Sequence, residues 1–263
     1  MTTKIKHRCV CRSLAVQVFT LCCLVFCPPL SSPSAAAVYD LKMDWSDLAN
    51  PNGPWSYREG NNLLPHVADW QGLSGDFTGV QPAWARNETG NMNLPPWMKI
   101  ASPAGVANDW QFGDIVTHST DTFNGIGAGP SNVIWTSPLN GTIDVSGAVW
   151  MGRDIGRGNH WDISLNGISL TGGDIFSGDP YDRADPFDFA AGSGGPAVLS
   201  EIPVVIGDVL RLEITRTSGP GDYAGVNLTI NAIPEPTSIV MGLTGFISII
   251  VWRRRNIAAK LLK

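Results

Sequence analysis

The chain has 263 residues, 43% of them hydrophobic and 16% charged, with a formal net charge of −5. This composition excludes a fully disordered chain, and the lack of a basic stripe in the middle of the chain argues against nucleic-acid binding. The charge is uneven: residues 38–233 hold nine Lys and Arg against 22 Asp and Glu, a net charge of −13. All five cysteines precede residue 28. We therefore expect an acidic, cysteine-free body between two basic, apolar ends.

Residues 1–37 have the organisation of a secretory signal peptide. Basic residues between Lys4 and Arg12 precede the apolar run 14–27, and small residues ending in Ala37 follow it. The 14 residues of this run are short of the ~20 that span a bilayer, which argues against a retained anchor. Such a segment would direct export of the chain, and cleavage after Ala37 would leave Val38 as the first residue.

The first part of the body is rich in tryptophan and contains no strong periodic pattern. Its six tryptophans are Trp45, Trp55, Trp70, Trp84, Trp97 and Trp110. One enclosed tryptophan buries ~150–250 Å². We expect these rings to anchor irregular, loop-rich segments onto the rest of the body.

Short runs of alternating apolar and polar residues predict strands in the remainder of the body. Apolar residues share one face in 141–151 (Ile143, Val145, Val149, Met151) and in 226–230 (Val226, Leu228, Ile230). Other strands are expected within 112–119, 132–137 and 204–215, the last with a turn at Gly207-Asp208. Residues 38–233 are therefore expected to form a single all-β domain, an antiparallel, jelly-roll-like β-sandwich.

Residues 161–170 predict a β-hairpin. Asn166-Gly167 is the two-residue sequence that tight hairpin turns favour. This turn would place Leu165 opposite Ile168 and Ile163 opposite Leu170, so that both arms bury one common side.

Sequence motifs of common enzyme classes are absent from the body, which contains no HExxH, GxSxG or Walker-type sequence. Its three histidines, His66, His118 and His160, are widely separated. We therefore expect a non-enzymatic protein with no cofactor. The alternative is a secreted glycoside hydrolase that uses paired carboxylates, for example among Asp154, Asp162 and Glu213.

Carbohydrate binding is the main functional hypothesis for the body. Sugar-binding sandwiches present aromatic faces to pyranose rings beside side chains that hydrogen-bond hydroxyl groups. The candidates are Trp55, Tyr57, Trp150, Arg153 and Asp154. Core packing is the alternative explanation for each tryptophan, and it weighs equally for Trp55, which lies in a polar segment beside Gly53 and Pro54.

A cluster of carboxylates in residues 172–189 raises the possibility of a calcium site. It contains Asp174, Asp179, Asp182, Asp185 and Asp188, the hard oxygen ligands that calcium takes. Their spacing departs from the EF-hand pattern, and a solvated loop with Asp-Pro turns is the favoured alternative.

The C-terminal segment 234–263 predicts a membrane anchor with a short motif before it. Pro234, Glu235 and Pro236 precede the apolar stretch 237–252, and Arg253, Arg254 and Arg255 begin the basic end 253–263. A 16-residue helix is ~24 Å long, which thinning of the bilayer and snorkelling arginines can match to the membrane. The arginines should remain cytoplasmic, which places the body on the opposite side.

This arrangement resembles the PEP-CTERM sorting signal of Gram-negative bacteria. The resemblance implies that an exosortase, a membrane-embedded cysteine protease, reads the Pro-Glu-Pro motif and processes the exported chain. The tail 256–263 is longer than is usual in that family. The expected location is the membrane before processing, and afterwards the cell surface or extracellular polymer, with polysaccharide as a possible partner.

The body is also similar to secreted β-sandwich proteins of planctomycetes and related bacteria. The similarity is carried by NPNGPWSY (50–57), GDIVTHS (113–119) and VVIGDVLRLEI (204–214). Many of those proteins end in a PEP-CTERM tail, and no activity is established for them. The expected function is thus structural or adhesive, with possible glycan binding.

Overall fold

The computed structural model of the protein describes residues 35–70, 77–86, 94–102, 108–120, 129–217 and 219–235. Ala35–Glu235 forms one compact unit. Most of the predicted signal peptide and the predicted anchor 237–252 lie outside the described residues. Within those residues, no helix has the length and apolarity that crossing a membrane requires.

The described part of the chain contains fifteen strands and two short 3-10 helices, Phe189–Ala191 and Pro196–Leu199. In chain order the strands are β1 (Ala37–Asp40), β2 (Trp55–Glu59), β3 (Asn62–Leu63), β4 (His66–Val67), β5 (Ala83–Ala85), β6 (Pro96–Lys99), β7 (Ile115–His118), β8 (Ser131–Thr136), β9 (Gly141–Met151), β10 (Gly158–Leu165), β11 (Ile168–Phe176), β12 (Phe187–Asp188), β13 (Ile202–Val204), β14 (Val209–Arg216) and β15 (Tyr223–Pro234).

The strands form two antiparallel sheets. Sheet A has the order β12-β9-β15-β7-β6-β5-β4, with β1 also paired to β15 and β13 to β9. Sheet B has the order β11-β10-β14-β8-β2-β3. The expected all-β, sandwich-like class is confirmed.

The main core contains residues from both sheets, because alternate side chains of each strand point to the same face. It buries the residues of β9 and β15 that were predicted to share a face: Ile143, Val145, Val149, Met151, Val226, Leu228 and Ile230. Those two predictions are confirmed, and they fix which face of sheet A is internal.

The tryptophans of the first part of the body are distributed over two apolar cores. Trp55, Trp84 and Trp97 are buried in the main core, and Trp45 packs against it. Trp70 and Trp110 belong to a second, smaller core. The rings pack into these cores as expected, and the loop-rich segment contributes six short strands, β1 to β6.

The hairpin of β10 and β11 has the predicted turn and a different register. Asn166 and Gly167 have φ values of 52° and 82°, as a type I′ turn requires. Leu165 lies opposite Ile168 as predicted, but Ile163 lies opposite Thr171 and not Leu170. An irregularity beside Ser164 shifts the register. Thr171 therefore takes the buried position, and Ile168 remains exposed.

The predicted turn at Gly207-Asp208 connects the two sheets. Gly207 has a φ of 94°, and the Asp208 N–H donates to the Val205 carbonyl at 3.0 Å. The strand before it, β13, pairs in sheet A, whereas β14 pairs in sheet B. The chain therefore crosses the sandwich at this turn.

Candidate ligand-binding pocket

A pocket of about 380 Å³ lies beside the C-terminal end of β9. Three segments form it: residues 108–109, the end of β9 with the residues after it, and the loop that follows β11. Its lining residues are Asn108, Asp109, Met151, Arg153, Asp154, Phe176, Ser177, Gly178, Asp179, Tyr181 and Asp182. Carboxylates and aromatic rings therefore line one cavity.

Hydrogen bonds to the end of β9 fix the segment that carries Asp109. The Asp109 N–H donates to the Gly152 carbonyl at 2.7 Å, and Trp150 Nε1 donates to the Asp109 carbonyl at 2.9 Å. Trp150 lies flat against β15, where a Cβ atom at Gly225 would be 2.0 Å from its ring. Trp150 thus packs between β15 and residue Asp109, and its hydrogen bond holds Asp109 at the pocket.

Arg153 and Asp154 extend the polar lining beyond the end of β9. The Arg153 guanidinium carbon lies 5.6 Å from the centre of the Tyr223 ring, a separation at which a cation is attracted to the ring face. Asp154 is exposed. The pocket therefore presents the Asp154 carboxylate as a hydrogen-bond acceptor and the Arg153 guanidinium group as a cation, with Arg153 positioned by the Tyr223 ring.

The loop after β11 is shaped by Asp179. Its Oδ2 accepts the Phe176 N–H at 2.6 Å, and its Oδ1 accepts the Tyr181 N–H at 2.8 Å. Gly178 has a φ of 82°, a conformation that glycine adopts without strain. The turn holds two aromatic side chains at the pocket: Phe176, which is 53% exposed, and Tyr181, which stacks on Phe187 at 4.3 Å.

Arg183 ties the far end of this loop to the segment that precedes β7. Its N–H donates to Asp109 Oδ2 at 2.7 Å, and its guanidinium group pairs with the buried Asp114. Burial alone would raise the pKa of Asp114. The hydrogen bonds from Arg183 and the Gln111 N–H, with the charges of Arg183 and Lys42, outweigh it and lower the pKa below its ordinary value.

The residues proposed for glycan binding are separated by the fold. Trp55 and Tyr57 lie in β2, fully buried in the main core, so core packing, the alternative weighed equally for Trp55, describes its position. Trp150 is buried behind the pocket. These three rings contact protein, whereas Arg153 and Asp154 line the pocket.

The five aspartates of the calcium hypothesis are spread along the chain from β11 to β12. Asp179 and Asp182 line the pocket, while Asp174 Oδ1 lies 2.7 Å from His160 Nδ1. Asp188 caps the first 3-10 helix, and Asp185 is exposed. In the described residues no three His, Cys, Asp or Glu side chains are grouped to hold a metal ion. Calcium binding stays a prediction.

Two carboxylates named for the hydrolase alternative are direct neighbours on sheet B. Asp162 in β10 lies opposite Glu213 in β14, on the face away from the buried Trp161 and Ile163. Burial and the charge of Asp162 raise the pKa of Glu213, and the charges of Arg211 and His160 offset only part of this. The third carboxylate, Asp154, belongs to the pocket.

Three residues of the predicted processing sites are described. Ala37 begins β1 and lies opposite Ala232. Glu235 follows β15, and its N–H donates to the Asn140 carbonyl at 2.9 Å. Pro234 is the last residue of β15, while Pro236 and Arg253 to Arg255 lie outside the described residues.

Among the pocket residues that sequence reasoning missed are Asp109, Phe176 and Tyr181. Phe176 carries a recognisable signal, because it ends a strand one residue before Gly178-Asp179, a turn sequence. Asp109 carries none, since its position depends on contacts with residues more than 40 positions away.

Comparison of the chain with known proteins gives no assignment. No protein-family model matches it, and no curated protein has significant sequence similarity to it.

Proposed function

We propose that the protein is an exported surface or extracellular-matrix protein whose jelly-roll-like body binds neutral glycans in the pocket at the end of β9. The observation that carries this proposal is the exposed ring of Phe176 in the same cavity as Arg153 and Asp154. An aromatic face beside charged hydrogen-bonding groups matches the apolar and hydroxyl-bearing surfaces of a pyranose ring.

The charge of the pocket favours neutral over anionic sugars. Asp109, Asp154, Asp179 and Asp182 line it with Arg153 as the cation. Carboxylates accept hydrogen bonds from sugar hydroxyls but repel uronic-acid and sulfate groups. The net charge of −13 over residues 38–233 adds to this preference.

Export and sorting are part of the same proposal. The signal peptide over 1–37 and the PEP-CTERM-like segment 234–263 support passage through the inner membrane, temporary anchoring by 237–252 and processing by an exosortase. Following the chain in a host with and without its exosortase tests this: loss of the enzyme should leave the full-length form in the membrane.

Binding to insoluble or immobilised polysaccharides tests the pocket. Phe176→Ala should weaken binding roughly two- to tenfold, the effect of losing one aromatic contact. Phe112→Ala is the matched control because Phe112 is also largely exposed, at 63% against 53% for Phe176, and does not line the pocket. Equal binding by both variants, or no binding by the unaltered protein to any neutral glycan, would overturn the proposal.

A second candidate function, glycoside hydrolysis, is favoured by the Asp162–Glu213 pair. Directly opposed residues place their Cβ atoms ~4.5–5.5 Å apart, which allows rotamers whose carboxyl groups reach the ~5–5.5 Å separation of retaining glycosidases. Glu213, with its raised pKa, would protonate the leaving group, and Asp162 would act as nucleophile. Release of reducing ends that Glu213→Gln and Asp162→Asn both abolish would support hydrolysis; unchanged release would exclude this pair.

A further inference from the structure

Four large apolar side chains are exposed at the end of the body where β15 ends. Each has 53–72% of its surface in solvent: Ile168, Val205, Ile206 and Ile233. We refer to these four residues as the apolar tip. Exposed apolar residues scattered singly need no explanation, whereas several at one end mark a contact surface.

Hydrogen bonds of Asn140 bring two parts of the apolar tip together. Its Oδ1 accepts the Ile206 N–H at 2.9 Å, and its carbonyl accepts the Glu235 N–H at 2.9 Å. The next residue, Gly141, lies opposite both Val204 and Pro234. The turn that carries Val205 and Ile206 is therefore adjacent to the point where the chain leaves β15.

Asn166 connects Ile168 to the same turn. Its Nδ2 donates to Asp208 Oδ1 at 3.0 Å, and its Oδ1 accepts the Val209 N–H at 2.9 Å. Asp208 Oδ2 in turn accepts the Val205 N–H at 2.8 Å. This network holds the hairpin turn beside the β13–β14 turn. Its hydrogen bonds satisfy the polar groups of both turns, while the side chains of Ile168, Val205 and Ile206 remain exposed to solvent.

We propose that the apolar tip inserts into the interfacial region of the lipid bilayer, so that the body stands on the membrane end-on. This inference rests on the proposed C-terminal anchor. The apolar stretch 237–252 begins two residues after Glu235, and two extended residues span at most about 7 Å. A helix that enters the membrane there brings the lipid surface within reach of the apolar tip.

Charge and position favour a neutral lipid surface as the partner that contacts the apolar tip. The charged residues within the hydrogen-bond network of the tip are Asp208 and Glu235, so attraction to anionic headgroups does not drive the contact. The glycan pocket lies at the other end of β9, ten residues from Gly141, or roughly 33 Å at ~3.3 Å per residue. End-on insertion would therefore hold the pocket away from the membrane.

The test uses the full chain in phosphatidylcholine vesicles with a polarity-sensitive fluorophore on an introduced cysteine. Ile206→Cys probes the apolar tip, and Ile155→Cys, in the loop after β9, is the matched control. The chain without an introduced cysteine measures labelling of native thiols. We expect the fluorophore at position 206 to emit at shorter wavelength and to be quenched by doxyl-labelled lipids at a depth of about 5–10 Å, with no quenching at position 155.

Vesicle flotation separates failure of the anchor from failure of the contact. If the chain floats and the label at 206 remains unquenched, the end-on contact is wrong and the anchor stands. If the chain does not float, the anchor proposal fails and the contact with it. Quenching at both positions would show a body lying flat. A blue shift at 206 without vesicles would identify a second copy of the chain as the occupant.

Discussion

Arg183 and Asp114 are 69 positions apart and share two hydrogen bonds, from Nε to Oδ2 at 2.5 Å and from Nη2 to Oδ1 at 3.2 Å. The Asp114 side chain is 4% exposed, so its charge is stabilised by this partner and by Lys42 at 3.4 Å. The pair fastens the loop that follows β11 beside Asp109. The pocket therefore depends on one arginine that does not line it.

Replacing Arg183 should loosen the pocket and lower the stability of the body. Arg183→Ala leaves a buried carboxylate with a weaker partner, and hydrogen bonds to charged groups contribute about 1.5–3 kcal/mol. Urea unfolding monitored by tryptophan fluorescence measures the change. Arg216→Ala, on the more exposed end of β14, should stay within about 0.5 kcal/mol of the unaltered protein. Equal losses in the two variants would contradict the anchoring role.

Protonation of Asp114 in acid should lower the stability of the body. Because its pKa is lower in the folded protein than its ordinary value of 3.8, the ionised form stabilises the fold above that value. This stabilisation is lost as the pH falls from about 3.8 through the lower folded pKa. In urea titrations at several pH values, Asp114→Asn should be less stable than the unaltered protein at pH 7 and lose less stability below pH ~4. Parallel pH profiles would refute this.

The ionisation of Glu213 should have the opposite pH dependence and make the body less stable as the pH rises. Its pKa is raised in the folded protein, so the fold favours the protonated acid, and this contribution disappears as the pH rises through the folded pKa. Glu213→Gln should therefore be more stable than the unaltered protein at pH 7, with the advantage shrinking in acid. Thermal melts at pH 4 and pH 7 measure both values, and an advantage that grew in acid would contradict the raised pKa.

Gly225 should be intolerant of any side chain. Gly225→Ala would place its Cβ 2.0 Å from the Trp150 ring, and overpacking of this kind costs typically about 1–3 kcal/mol. The displaced ring would also lose its bond to Asp109, so glycan binding should weaken in parallel. Gly79→Ala is a suitable control because its nearest neighbour is the Ser102 hydroxyl at 3.3 Å. A stable variant with normal binding would show that Trp150 does not support the pocket.

Calcium should raise the melting temperature if the aspartates of residues 172–189 hold it. Thermal melts in EDTA and in excess calcium test this, and Asp179→Asn is the informative variant because Asp179 lines the pocket and shapes its turn. A calcium-dependent rise that this variant loses is the expected outcome. Identical melting temperatures in EDTA and calcium would remove the hypothesis.

The sequence was sufficient to predict those strands and turns that are specified by neighbouring residues alone. Alternation with a period of two identifies the internal face of β9 and β15 without reference to their partners. Asn166-Gly167 likewise specifies its turn, because both residues tolerate positive φ. The displaced register was not predictable in this way, since Leu170 and Thr171 are adjacent and only packing decides which one is buried.

Burial of the aromatic residues was predictable only in part. The polar neighbours of Trp55 gave no indication that it lies opposite Trp135, in a strand 80 positions away. The pocket was equally hidden, because Asp109 reaches it through bonds to Trp150 and Arg183. Arg153 and Asp154 were named because they follow Trp150 closely in the sequence and can hydrogen-bond sugar hydroxyl groups.

The last strand of the chain has a consequence for when the body folds. β15 lies inside sheet A and pairs with β1, β7 and β9, strands that lie between residues 37 and 151. During synthesis from the N-terminus, β1, β7 and β9 are made before β15. They therefore lack their common partner until residues 223–234 have been made. Sheet A therefore closes only after residues 223–234 have been made. Under the export proposed above, the chain would reach the membrane with sheet A still incomplete.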